Sequence, residues 1–449
     1  MEHSLEADRR LNRPAAPMFR ILFRRRLDGR GASGQAGGVT ERHGSIDGLR
    51  GLAVMGILLM NVASFALPSG AYFNPLAGGG TQPADLAVWA ANFVLVDGKM
   101  RALFSILFGA STAIVIERAD ATGRNGAKIH LARMATLALF GAAHLILLWQ
   151  GDILLHYALV GTLALPFVLL EPRPLIRVAI LLLLVQMVVQ GMFLASFVRL
   201  HHDALAPGAT GTVLDAWHAF AEGVGVGRPQ DVAAEIARMR GAWSGIAAAN
   251  LATVPAGIPF LLGFDGPETL AYMLIGMAAL RSGFLTGAWE RRRYLRWAAI
   301  GLALGLPPMV ALCWLCFASG FDTLATFAAA TSGGVPFRPI LALAGAALAL
   351  AWLNARDRPR LRAVGRMAFS NYLGTSLLMT ALFDGWGLGL YARIERIWLY
   401  PIVASVWVLM LLWSPWWLAR FRYGPLEWAW RSLARWKRQP LRRSDHATI

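Results

Sequence analysis

His144 and Asp152 lie eight positions apart, with Gly151 supplying a turn between two apolar runs. His156 follows a few residues into the second run. If the runs form a tight antiparallel helix pair, both imidazoles come to similar depth with the carboxylate above them. An imidazole is the side chain best suited to take a proton from a hydroxyl near neutral pH. One His can then act as general base or acyl carrier while the carboxylate orients it, the division of labour that acyl transfer needs. The same residues have a structural use. Asp152 directly before Ile-Leu-Leu is a good helix N-cap, and His144 can be satisfied by a neighbouring carbonyl.

Three further polar groups stand in or beside apolar runs, where ionisable side chains are costly and turn to the protein interior. Asp47 and Arg50 are one helical turn apart and can pair, with Asn61 deeper in the same run. Arg50 can hold phosphate as a planar fork or anchor the helix among lipid headgroups. Asp97, Lys99 and Arg101 open another run that continues through Phe104-Ser105 to Phe108-Gly109. They fall on the side expected to be poor in Lys and Arg, which predicts burial in protein or a cavity lining. Arg366 begins a later run, and Asn371 and Tyr372 lie over a turn inside it. An apolar surrounding obliges Asn371 to find a partner. The remaining motifs read as structure. Cys313 and Cys316 sit in an apolar run without further ligands and are read as packing. His201-His202-Asp203 is read as a solvated loop, so no metal site is expected. The glycines at 223–227 open no βαβ unit, and Gly301-x-x-x-Gly305 reads as a close helix contact.

The elements that must position these residues are membrane helices. Of 449 residues, 56% are hydrophobic and 15% charged, with a mean hydropathy of +0.50. That excludes a soluble enzyme, a nucleic-acid-binding domain and a disulfide scaffold, and predicts an all-α, polytopic bundle of about ten spans. The apolar runs lie near 48–67, 98–117, 133–149, 152–170, 177–198, 267–283, 294–319, 326–353, 363–382 and 398–419. The net charge of +17 is concentrated at both ends and in alternate loops. This places both termini in the cytoplasm. Basic residues there are attracted to anionic lipid rather than nucleic acid. Residues 84–96 are too short to span and read as re-entrant or interfacial, and 243–263, weakened by Asn250, Pro255 and Pro259, as partly inserted. The expected organisation is a basic, disordered or interfacial tail (1–45), an N-terminal membrane half (46–198), an extracytoplasmic loop with the inserted segment (199–266), a C-terminal membrane half (267–419) and a basic tail (420–449).

In this order the motifs resemble the bacterial YeiB-like membrane family, whose C-terminal half is domain of unknown function 418. The matching stretches are Asp47-Gly-Leu-Arg-Gly51 through Asn61, Arg101-x-x-Phe-Ser-x-x-Phe-Gly109, His144 with Gly-Asp-Ile-Leu at 151–154 and Tyr157, Leu-Ile-Gly-Met at 274–277, Gly-Arg-Met-Ala-x-Ser-Asn-Tyr at 365–372 and Gly-Pro-Leu-Glu-Trp at 424–428. The resemblance to a bacterial membrane family implies that the membrane is the inner one. The first spans are distantly similar to transmembrane acyltransferases, including the lysosomal heparan-glucosaminide acetyltransferase, through the Asp-x-x-Arg-Gly opening. That similarity implies transfer from a cytosolic acyl-CoA co-substrate, with no bound cofactor, to an extracytoplasmic glycan or lipid. In the lysosomal enzyme the acyl-carrying His lies in the loop after the first span, whereas loop 68–83 here has none. His144 takes that role, or transfer is direct within a ternary complex. The assignment is His144 and Asp152 as catalytic, and Asp47, Arg50, Asn61, Arg101, Ser105, His156, Tyr157, Arg366, Asn371 and Tyr372 as substrate-binding. The alternatives are a transporter of a small solute or lipid, and a non-catalytic membrane scaffold.

Overall fold

The computed structural model describes residues 35–443, with side chains from Gly44 onward. Most of the expected N-terminal tail (1–34) and residues 444–449 lie outside the described residues. Within them the chain builds α1 (Gln35–Ala66), α2 (Pro83–Leu95), α3 (Lys99–Ala121), α4 (Gly126–Leu147), α5 (Leu154–Leu163), α6 (Pro172–Leu205), α7 (Gly211–Val224) and α8 (Pro229–Met239). It continues with α9 (Trp243–Arg281), α10 (Arg291–Ala318), α11 (Thr323–Ala328), α12 (Phe337–Leu353), α13 (Pro359–Arg366), α14 (Ala368–Phe383), α15 (Arg396–Arg420) and α16 (Pro425–Ala434). Among the described residues the only β-type pairing is an isolated bridge between Phe421 and Arg442.

Among the described residues, seven helical segments are long and apolar enough to cross a membrane, or eight if the bent pair 323–353 is one span. The sequence expectation is about ten spans. Seven of the ten runs lie in such segments, and 326–353 is broken by 58° between Thr323–Gly333 and α12. The other two build shorter helices. The run 152–170 yields the ten-residue α5, which stops before Pro166 and passes into a 3₁₀ turn, Leu165–Leu169. The run 363–382 is divided at Met367 into α13 and α14. Hydropathy counts apolar residues and does not see these breaks.

Two segments read as separate are one helix. The partly inserted stretch 243–263 and the run 267–283 together form α9, 39 residues long, about 58 Å if straight and so longer than a ~30 Å bilayer core. Pro255, Pro259 and Pro267 lie inside it, and Gln186 of α6 stands across one rung. Its amide donates to the Phe264 carbonyl and accepts from Glu268 N–H at 3.2 Å. A side chain inserted into the ladder beside a proline is a known source of local opening. Residues 84–96 are α2, joined through a short turn to α3. His201, His202 and Asp203 end α6 rather than standing in a loop, and His201 stacks on Trp217 of α7 with centroids 4.1 Å apart.

Glycines set the closest crossings. A Cβ at Gly276 of α9 would fall 1.8 Å from the Ile106 carbonyl of α3, and one at Gly109 2.0 Å from the Met273 carbonyl. Gly365 and Gly51 seat α13 against α1 in the same way, with Gly365 against the Asp47 carbonyl at 1.8 Å. Between helices in lipid, small residues allow this backbone approach. Gly301 and Gly305 meet Ala344 and Leu341 of α12, as their spacing predicts.

Candidate functional site

His144 stands near the end of α4, and Asp152 just before α5. The connection brings them together: His144 Nδ1 and Asp152 Oδ1 are 2.7 Å apart, both residues buried. The second carboxylate oxygen accepts Leu155 N–H at 2.7 Å. The capping and orienting readings of Asp152 therefore hold together, one oxygen for each. With a proton on Nδ1 donated to the carboxylate, the lone pair of Nε2 is free, and that buried atom has no hydrogen-bond partner. The Tyr372 ring lies 5.5 Å from His144, between centroids. Its buried hydroxyl also lacks a partner, because its approach to the Ile153 backbone falls short of bonding geometry. Beside Tyr372 is a small cavity, on the scale of one water, lined by Asn61, Phe65, Thr375 and Ser376 among others. Phe65 stacks on Trp149 at 4.0 Å, closing the cluster toward His144.

His156 does not join this dyad. Its Nε2 meets Thr269 Oγ1 of α9 at 2.9 Å, turning it toward a second polar centre. There Glu268, fully buried, accepts from Arg101, from Tyr272 and from Arg338 of α12, the last at 3.1 Å. Arg101 also pairs with Asp265 at 3.2 Å. Ser105 donates to the Arg101 carbonyl at 2.8 Å or shares its hydroxyl with Tyr157 at 2.7 Å. Of the neighbouring charges, Lys99 is buried and Asp97 half-buried. Lys99 donates to the Phe93 carbonyl at 2.6 Å, and Asp97 accepts from Tyr72 beside a second small cavity. The three charges opening α3 thus face protein, as their position predicts. α5 connects the two centres, with Asp152 before its start and His156 and Tyr157 on its body.

The other sequence candidates stand apart from both. Arg50 binds Asp47 at 2.8 Å and Ser111 of α3 at 2.9 Å, both partly exposed. Asn371 is a brace: it donates to the Val364 carbonyl and Ser414 at 3.1 Å each, and accepts from Trp413 at 2.8 Å. Arg366 is exposed, and its contact with the Arg422 carbonyl is 3.4 Å. Glu427 of the last motif reaches Phe369 N–H and Ser370 N–H at 2.8 and 3.1 Å, capping α14. Its carboxyl lies above the usual range because burial outweighs these hydrogen bonds.

Sequence reasoning missed Glu268, Asp265, Arg338, Tyr272 and Gln186. A signal existed: Asp265 and Glu268 are the only charged residues in 244–280, and Arg338 the only one in 323–355. Lone charges in apolar runs need partners. Among the described residues no three His, Cys, Asp or Glu side chains gather as a metal site would require, and Cys313 and Cys316 are buried free thiols.

Comparison with known proteins bears on the whole chain. Residues 279–437 match the model of a family described as protein of unknown function, DUF418. The chain is 31% identical over 408 residues to YeiB of Escherichia coli (strain K12), covering 88% of this chain and 96% of that protein. It is 31% identical over 424 residues to YxaH of Bacillus subtilis (strain 168), covering 89% and 96%. A 39.9 kDa protein of Bacillus acidopullulyticus, named for its place in the amylase 3′ region, is 25% identical over 403 residues, covering 89% and 96%. No solved structure matches. At this identity over nearly its full length, the chain belongs to the YeiB family of helical membrane proteins, the family that carries domain of unknown function 418.

Proposed function

We propose that this protein moves an acyl group from a cytosolic acyl-CoA donor to a hydroxyl of an extracytoplasmic glycan or lipid, with His144 as general base. The observation that carries the reading is the His144–Asp152 pair with its free, buried Nε2. In a direct transfer Nε2 takes the proton of the acceptor hydroxyl as its oxygen attacks the thioester carbonyl. The C–S bond breaks, and the leaving thiolate takes the proton from the imidazolium. Asp152 keeps the ring in the required tautomer and stabilises the transient charge. Asn61 and Tyr372 line the neighbouring cavity, which supports reading them as substrate-positioning residues. Arg101 is engaged by two carboxylates, so it fits a framework role better than a free anion clamp. Basic residues on one side of the bundle support an inner-membrane orientation with both ends cytoplasmic.

The test uses sealed proteoliposomes with labelled acetyl-CoA on the basic face and a glycan mixture inside. His144→Ala lowers transfer by about 10²–10⁴-fold, the worth of a general base, while membrane abundance stays at the wild-type level. Equal label with His144→Ala refutes the mechanism. A second reading, a transporter, is favoured by the 58° break in 323–353 beside buried charges, since broken helices and intramembrane ions mark substrate paths. Flux of a solute without acyl label selects it.

A further inference from the structure

The basic end of the bundle holds arginines that the dyad does not use. Arg133 of α4 lies over Trp430 of α16, its guanidinium carbon 4.2 Å from the ring centroid. The same indole donates to the Arg133 carbonyl at 3.0 Å, clamping the two helices together. Arg431 stands over Tyr423 at 4.7 Å. The charged groups acting on Arg133 are Arg431, Arg435 and Arg50, all cationic. Those acting on Arg431 are Arg435, Arg50 and one carboxylate, Glu427. Glu427 is committed to the start of α14, and Asp47 to Arg50. Among the described residues Arg435 bonds Gln439, a neutral partner, at 2.8 Å. Four guanidiniums from three helices therefore face two carboxylates that are already engaged. Gathered like charges repel, and an anion among them removes that repulsion. Guanidiniums stacked on aromatic rings keep their N–H edges open for phosphate oxygens.

We propose that Arg50, Arg133, Arg431 and Arg435 form a phosphate-binding site and, resting on the acyl-transfer reading, that it takes the phosphate end of a nucleotide-bearing thioester donor. Arg133 and His144 are eleven residues apart on α4, about 16 Å of helix. A pantetheine arm runs about thirteen bonds from phosphorus to sulfur, roughly 15 Å when extended at ~3.5 Å per three bonds. A donor with its phosphates on Arg133 brings its thioester to the depth of His144.

The probe is 3′,5′-ADP, titrated calorimetrically into the purified full chain in neutral detergent and in zwitterionic vesicles with or without anionic phospholipid. Wild type and His144→Ala bind it alike. Arg133→Gln and Arg431→Gln weaken binding at least ~10-fold, as loss of one charge-assisted phosphate contact predicts. If Arg133→Gln fails to fold, the more peripheral Arg431→Gln carries the test. Arginine-dependent binding of anionic lipid without 3′,5′-ADP binding overturns the donor assignment. Arginine-independent binding of both overturns the site. His144-dependent transfer with an unchanged donor KM in Arg431→Gln refutes this site and leaves the dyad standing. Arginine-dependent 3′,5′-ADP binding without any transfer supports the site and refutes the dyad chemistry.

Discussion

Glu268 is the residue whose loss the bundle should tolerate least. Its carboxylate is fully buried and accepts from Arg101, Arg338 and Tyr272. With Asp265 on Arg101, the two arginines and two carboxylates sum to zero charge. Glu268→Gln leaves a net positive charge in a water-poor interior and turns an amide donor toward groups that are themselves donors. Removing one partner of a buried pair costs about 3–5 kcal/mol, because the remaining charge is uncompensated. Arg338→Met creates the opposite imbalance at a similar cost. The double variant restores neutrality and leaves Arg101 with Asp265. Replacing a whole buried pair with uncharged groups is often close to neutral, so the double variant should recover about 2–3 kcal/mol relative to the sum of the singles. Reversible unfolding in mixed micelles with increasing denaturing detergent, followed by tryptophan fluorescence, measures all four proteins. Glu268→Gln within about 0.5 kcal/mol of wild type, or strict additivity in the double variant, refutes the claim that this network is a charge-balanced buried unit.

Other substitutions probe separate links. Gly276→Leu forces α3 and α9 apart, because even a Cβ would lie 1.8 Å from the Ile106 carbonyl; a loss of at least ~1–3 kcal/mol is expected in the same unfolding assay. Asn371→Ala removes three hydrogen bonds that tie α14 to α13 and α15, and should cost about 1–3 kcal/mol through the buried groups left unpaired, whereas Arg366→Gln on the exposed face should be nearly silent. Asp384, in the loop after α14, has its carboxyl pushed up to about 7 by burial, with a Trp386 hydrogen bond only partly opposing this. The folded state then holds the proton more tightly than the unfolded chain, so stability falls as pH rises from about 4 to about 7. Asp384→Asn should flatten that dependence, and thermal unfolding at pH 5, 6 and 7.5 checks it.

The membrane class and most of the spans were legible because hydropathy is a strong signal over twenty residues. The breaks were not. Nothing in the composition of 363–382 marks the division at Met367, which Asn371 braces from the side. The single helix α9 was hidden by its own prolines, which read as interruption in sequence and are accommodated where Gln186 stands across a rung. The His144–Asp152 pairing was legible from one turn and two residue types, since a short connection leaves little freedom. The Glu268 network was not, because its members come from α3, α9 and α12, and no local spacing records an encounter between distant helices.

Placed on the bundle, the motifs divide by what their polar groups have left to do. Gly51 with Gly365, and Gly109 with Gly276, are spent on helix crossings. Asn371 and Glu427 are spent on bracing and capping α14, and Arg101 on Asp265 and Glu268. A residue whose bonding capacity is filled by its own fold has little left for a substrate. Among the described motif residues, the buried atoms left without a partner are Nε2 of His144, Nδ1 of His156 and the hydroxyl of Tyr372, and Arg133 and Arg431 keep cationic neighbours. A buried polar atom without a partner carries a free-energy cost that folding alone does not repay. Arg133 and His144 lie on one helix, α4, which runs from the basic end to the dyad, and chemistry is best sought there rather than across the motif set as a whole.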